Sequence, residues 1–168
     1  MIDKSELIAW LKGVDKRLRK SMTVIALGGT AMTLLGLKSS TIDVEFCVAS
    51  EDRKIFENAL DKRFKVDIFT DGYIFSEQLP DDYAERSKDV LALKHIQLKV
   101  LNPLDIVITK TARLNARDEE DIQAIAAYVD KEELLQRFEK VVPTYSGKEE
   151  EYRRNFDYIV ERYFQDKK

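Results

Sequence analysis

Apolar residues recur at three- and four-residue spacing near the start of the chain, at Ile8, Leu11, Val14 and Leu18, behind a possible Asp3 or Ser5 cap. That spacing predicts an amphipathic helix. The pattern then changes to short β-branched and apolar runs. Residues 23–29, TVIALGG, read as a buried strand running into a tight turn, and residues 30–37, TAMTLLGL, as a short helix opening at Thr30 and ended by Lys38, Ser39 and Ser40. Residues 41–49, TIDVEFCVA, read as a second strand, residues 51–63 as a helix, and residues 64–70, FKVDIFT, as a third strand that stops at the turn signal Asp71-Gly72. The first half thus alternates β-α-β-α-β.

Residues 75–90 are polar and read as a loop with a short helix, whereas residues 91–102, LALKHIQLKVLN, offer two short strands on either side of a Lys94-His95 turn, adding an edge to the sheet. Asn102-Pro103 ends the strand and suits the first turn of a helix over residues 103–114. A second helix over residues 118–129 has Asp118 as its cap, with Asp121 placed for a cap-like exchange. Residues 131–142 and 148–165 are two further amphipathic helices separated by PTYSG. No repeat and no long linker interrupts the 168 residues. The expectation is one α+β domain over residues 1–168: a sheet core at about 20–101 and a helical part at about 103–168.

Charge narrows the possible partners. Charged residues make up 35% of the chain, but 28 basic against 31 acidic side chains leave a net charge of −3. There is no single-sign field to draw in nucleic acid, so any such partner must be held locally. Cys47 is the one cysteine and lies in an apolar run, where a thiol acts as a small hydrophobe; a reducing, cytoplasmic location is expected. The first ten residues lack the apolar run of a signal peptide, and no segment approaches the roughly 18 apolar residues of a membrane span.

Three features carry chemistry. Gly28-Gly29 before a helix allows a phosphate to approach the backbone closely, although such a pair alone is more often an ordinary tight turn. Asp43 and Glu45, two apart on a predicted strand, share one face opposite Ile42, Val44 and Phe46. Such a pair either bridges a hard cation such as Mg²⁺ or is a wet face. Asp67, between apolar Val66 and Ile68, is in the same in-out phase; if its strand neighbours that of Glu45, three carboxylates form the ligand set of a two-metal phosphoryl-transfer site.

Gly28-Gly29, thirteen residues, Asp43-Val44-Glu45-Phe46 and the later Val66-Asp67-Ile68 resemble the signature of the polymerase-β-like nucleotidyltransferase superfamily. Lys110 followed eight residues on by Asp118, then Asp121-Ile122, is similar to small nucleotidyltransferase-like proteins related to abortive-infection toxins. The resemblance covers roughly residues 20–130 and implies a nucleotidyltransferase-type mixed sheet with flanking helices. It implies that Gly28, Gly29 and Thr30 seat a nucleoside triphosphate (NTP). It also implies that Asp43, Glu45 and Asp67 hold two Mg²⁺ ions, with Asp67 helping to activate the acceptor hydroxyl. The second acid is Glu where Asp is common, and an arginine frequent near Asn115 is absent, although Arg113 and Arg117 lie close by.

Lys38 and Lys110 are placed to reach a phosphate, or else to complement helix ends and pair with Asp118 and Asp121. Lys110, Arg113 and Arg117 fall at spacings that line one side of the helix starting at Pro103. His95 sits in a turn without triad partners, and the aromatics Phe138, Tyr152, Phe156, Tyr158, Tyr163 and Phe164 read as a packing stripe. Two functions follow. One is a Mg²⁺-dependent nucleotidyltransferase that moves a nucleoside monophosphate onto an RNA or protein acceptor. The other is an inactive relative that binds nucleotide or acts in a toxin–antitoxin pair with a cognate partner.

Overall fold

In the computed structural model, which describes residues 1–165, the chain opens with β1 (Ile2–Asp3), α1 (Lys4–Arg17) and β2 (Met22–Ala26), then α2 (Gly28–Leu34), β3 (Ser40–Thr41) and β4 (Val44–Val48). It continues through α3 (Arg53–Ala59), β5 (Val66–Thr70), β6 (Tyr73–Ile74), β7 (Glu77–Gln78), α4 (Tyr83–Arg86), β8 (Lys88–Ala92) and β9 (Ile96–Val100). Four helices follow: α5 (Pro103–Thr111), α6 (Ala116–Ile125), α7 (Lys131–Val141) and α8 (Glu149–Tyr163). The predicted helical part reaches residue 168; residues 166–168 lie outside the described residues.

The main sheet runs β7-β6-β5-β4-β2-β9-β8, and β1 pairs separately with β3. It is mixed: β2 is antiparallel to β4 and parallel to β9, and β4 is parallel to β5. Of the two short strands expected to add an edge, only one does so. β8 is the edge strand, whereas β9, whose Ile96, Leu98 and Val100 are buried in strict alternation, lies inside the sheet against β2.

Side-chain period explains why one face of this sheet is a core and the other a site. Val24, Ala26, Val44, Phe46, Leu98 and Val100 share the first face and are all buried. Trp10 of α1 stacks on Phe46 at 6.3 Å between ring centroids, and Phe56 of α3 meets it edge-on at 5.9 Å. The opposite face carries Thr23, Glu45, Asp67 and Lys99 among its residues. Asp3 caps α1 by accepting from the Glu6 N–H at 2.9 Å. From the same helix, the buried Asp15 accepts from the N–H groups of His95 and Ile96, both at 2.8 Å. That fixes the predicted His95 turn.

The C-terminal helices close the core. Phe138 of α7 stacks on Phe156 of α8 at 3.6 Å, and Tyr152 packs beside Phe138, as the aromatic stripe predicts. Tyr158 and Tyr163 leave that stripe and donate hydrogen bonds to Glu119 of α6, at 2.7 and 2.8 Å. Arg137 of α7, 4% exposed, forks onto Asp105 of α5 and also reaches Asp82 at 2.9 Å, tying the helical part to the sheet half. Among the described residues, no helix is long and apolar enough to cross a membrane.

Candidate active-site cleft

The predicted strand over residues 41–49 breaks in two, and the break builds the site. Thr41 ends β3, Ile42 and Asp43 form a bend, and β4 begins at Val44. Two hydroxyls pin that bend: Thr30 Oγ1 and Thr41 Oγ1 each donate to the Asp43 carbonyl at 2.9 Å, and Thr30 Oγ1 accepts from the Glu45 N–H at 3.0 Å. Asp43 is therefore an exposed bend residue rather than a strand residue, and Ile42, expected on one strand face with Val44 and Phe46, is 57% exposed while those two are buried. Thr30, expected at a phosphate, is fully buried with its hydroxyl committed to this bend.

Gly28 and Gly29 are the first residues of α2, two positions earlier than the spacing predicts, with Leu27 as N-cap. Gly28 has φ +49°, a left-handed conformation that glycine adopts freely. A Cβ there would strike Glu45 Oε2, so the Glu45 carboxylate rests against bare backbone. At Gly29 a Cβ would lie 2.6 Å from Thr41 Oγ1 and 3.8 Å from Lys38 Nζ.

Gly29, Asp43 and Glu45 line a cleft of about 260 Å³ together with Lys38, Lys110 and Arg113. That is less than the roughly 300–1,000 Å³ usual for a whole small ligand, a size suited to phosphates and ions. Lys110, 4% exposed, sets its Nζ 2.8 Å from Asp121 and 3.4 Å from Asp118. Lys38 Nζ meets Asp121 at 3.3 Å from the other side. Arg113 forks onto Asp118 with two hydrogen bonds of 2.8 Å. α5 ends at Thr111, so Lys110, Arg113 and Arg117 come from a helix, a turn and the next helix rather than one helical side, yet all three line the cleft.

Asp118 is the third residue of α6, not its cap. Asn115 is the cap, accepting from the Asp118 N–H at 2.9 Å while Asp118 accepts from the Asn115 N–H at 3.1 Å. Burial pushes the Asp118 carboxyl up, but the Arg113 hydrogen bonds, the Lys110 charge and the Asn115 amide outweigh it and hold it below the usual range. The Asn-x-x-Asp spacing was the available signal for this cap. Asn115→Ala is expected to cost about 1 kcal/mol of stability, read by chemical denaturation.

Glu45 is the group left incomplete. It is 7% exposed, and no described residue donates a hydrogen bond to its carboxylate. Burial pushes its pKa up; the Lys110 and Arg113 charges pull it down, while Asp43 and Asp67 push it further up, and the net shift is upward. Asp67 sits beside it in register on β5. The expected convergence of three carboxylates is only partly met. Glu45 rests against Gly28 and lines the cleft with Asp43, whereas Asp67, on the same face of the sheet and near enough for its charge to raise the Glu45 pKa, is not among the residues that line it. Among the described residues, no three His, Cys, Asp or Glu side chains are placed to close on one metal ion. The donor chemistry nevertheless fits a hard divalent cation: Asp43 and Glu45 offer carboxylate oxygens in one cleft, and the Glu45 carboxylate, without a protein donor, is open to that cleft.

Residues 5–168 match the model of a family described as a nucleotidyltransferase of unknown function, DUF6036. No match is found among curated proteins or among solved structures. Because the family match spans all but the first four residues, the chain belongs to this family of nucleotidyltransferases.

Proposed function

We propose that the protein transfers a nucleoside monophosphate from an NTP to a hydroxyl of an RNA or protein acceptor, in a Mg²⁺-dependent reaction. The observation that carries this reading is Glu45, a buried carboxylate with no hydrogen-bond donor, set on Gly28 and sharing a cleft with Asp43, Lys38, Lys110 and Arg113. Mg²⁺ held by Asp43 and Glu45 would neutralise triphosphate charge and orient the α-phosphorus for in-line attack.

The chain's own groups do the rest by position and charge. Gly29 offers backbone without a side chain in the way. Lys38 and Lys110, both on Asp121, exchange a carboxylate oxygen for a phosphate oxygen when the triphosphate enters. Asp67, one strand away from Glu45, faces the acceptor and takes the proton of its hydroxyl as that oxygen bonds to the α-phosphorus and pyrophosphate leaves.

One observation favours a second reading, nucleotide binding without turnover or a role in a toxin–antitoxin pair: the cleft cations Lys38, Lys110 and Arg113 each already have an aspartate partner. Incubation with α-labelled NTPs, Mg²⁺ and total RNA or cell protein separates the two. Transferred label that disappears in Asp43→Ala supports the transferase. Mg²⁺-dependent binding without transfer supports the silent nucleotide-binding form, and neither binding nor transfer removes both nucleotide readings and leaves the toxin–antitoxin role.

A further inference from the structure

Arg113 lines two cavities, the cleft described above and a second of about 220 Å³ whose other walls are Phe75, Ser76, Thr109, Ala112 and Tyr145. We propose that this second cavity takes the nucleobase of the nucleotide whose phosphates occupy the cleft, a proposal that rests on the transferase or nucleotide-binding reading of that cleft. Two aromatic walls with a few polar groups are the lining of a site for a flat ring, and the volume suits one ring system rather than a whole ligand.

The walls are held in place. Phe75 has φ +57°, a conformation that a bulky side chain adopts only where its surroundings impose it. Its ring meets Phe69 edge-on at 5.0 Å, and the Arg113 guanidinium lies 5.8 Å from its centroid. Tyr145 is half-buried and stacks on the buried Tyr152 at 4.1 Å and 19°, and Gly147 approaches its hydroxyl end, so the ring is held from two sides where it lines the cavity. The Ser146 N–H donates to the Ser76 carbonyl at 3.0 Å, tying the neighbour of Tyr145 to the neighbour of Phe75 and fixing the spacing of the two rings. The Ser76 hydroxyl makes no hydrogen bond to another described residue, which leaves a donor and acceptor for the edge of a base. Arg113 joins the two sites chemically: its guanidinium serves the phosphates on one side and borders the aromatic wall on the other.

Calorimetric titration with Mg²⁺ tests this, using each of the four NTPs and inorganic tripolyphosphate as probes. At least one NTP is expected to bind about fivefold or more tighter than tripolyphosphate, the scale of one base stacked on an aromatic ring. Tyr145→Leu is expected to remove that advantage, and Tyr145→Phe to keep it. Ala112→Leu, which fills the cavity, is expected to remove it as well. In all three variants tripolyphosphate should bind as in the wild type, reporting an intact fold and cleft. Equal wild-type affinity for NTPs and tripolyphosphate, or an advantage that survives both Tyr145→Leu and Ala112→Leu, overturns the nucleobase site and leaves the phosphate cleft standing. Loss of tripolyphosphate binding in step with NTP binding in both variants also overturns it. If neither probe binds the wild type, the cleft reading falls and the nucleobase site with it.

Discussion

Glu45→Gln is expected to lower nucleotidyl transfer by a factor on the order of 10²–10³ while leaving the protein as stable as before or more so. The two effects have one cause. The Glu45 carboxylate is buried, lacks a donor among the described residues, and is raised in pKa first by desolvation and then by the charges of Asp43 and Asp67 against the pull of Lys110 and Arg113. A neutral amide of the same shape removes the cost of burying that charge, worth on the order of 1 kcal/mol, and removes the anionic oxygen that a cation needs. Activity lost with stability retained is the pattern of a functional group rather than a structural one. Label-transfer rates beside urea denaturation at pH 7 measure both. A glutamine variant that transfers label at the wild-type rate would exclude Glu45 from the chemistry.

The second large effect lies away from the cleft. Glu77 of β7 is fully buried; the Ser76 N–H donates to its Oε2 at 3.3 Å, and Oε1 has no partner. Desolvation pushes its pKa from 4.5 up to about 8, and the Ser76 amide pulls back only in part. The folded chain therefore keeps a proton that the unfolded chain has already released. Stability from this group is full below about pH 4.5, declines as pH rises above it, and is lost by about pH 8. The loss amounts to as much as about 5 kcal/mol. Denaturation midpoints measured from pH 5 to pH 8.5 should fall in the wild type and fall clearly less in Glu77→Gln, where only the other raised carboxyls such as Glu45 still contribute. Parallel curves for the two proteins would mean that Glu77 is not the group responsible. The buried Tyr152 hydroxyl, which also lacks a partner, is held above its ordinary range by burial and then by the Glu77 charge, so it adds no opposing trend at these pH values.

Several parts of this molecule were legible because local spacing encodes them. Of the predicted repeat, Leu11 and Val14 lie on the buried face of α1, Leu18 is buried just past its end and Ile8 is half-buried, while the alternation of Ile96, Leu98 and Val100 gives β9 its buried face. Gly28, Gly29, Asp43, Glu45, Lys38 and Lys110 were all named as site residues from the sequence, and all of them except Gly28 line the cleft, with Gly28 lying directly under Glu45. The bend at Asp43 was not legible, because it depends on hydroxyls of Thr30 and Thr41 that reach the Asp43 carbonyl only once α2 and β3 are packed together. Nor was the committed burial of Thr30, for the same reason.

Periodicity fixes which way a side chain leaves its own strand or helix, so the sequence by itself determined the α+β class, the glycine turn and the choice of acids and lysines. It carries no information on which strand lies beside which, or on how far a side chain leans once there. Sheet order placed Asp67 in register with Glu45 on the same face, and the close approach of Gly28 seated the Glu45 carboxylate in the cleft with Asp43 while Asp67 stays outside its lining. Only the tertiary structure decided that, because both partners of Glu45 are distant in sequence and are brought to it by burial of the opposite face of the sheet.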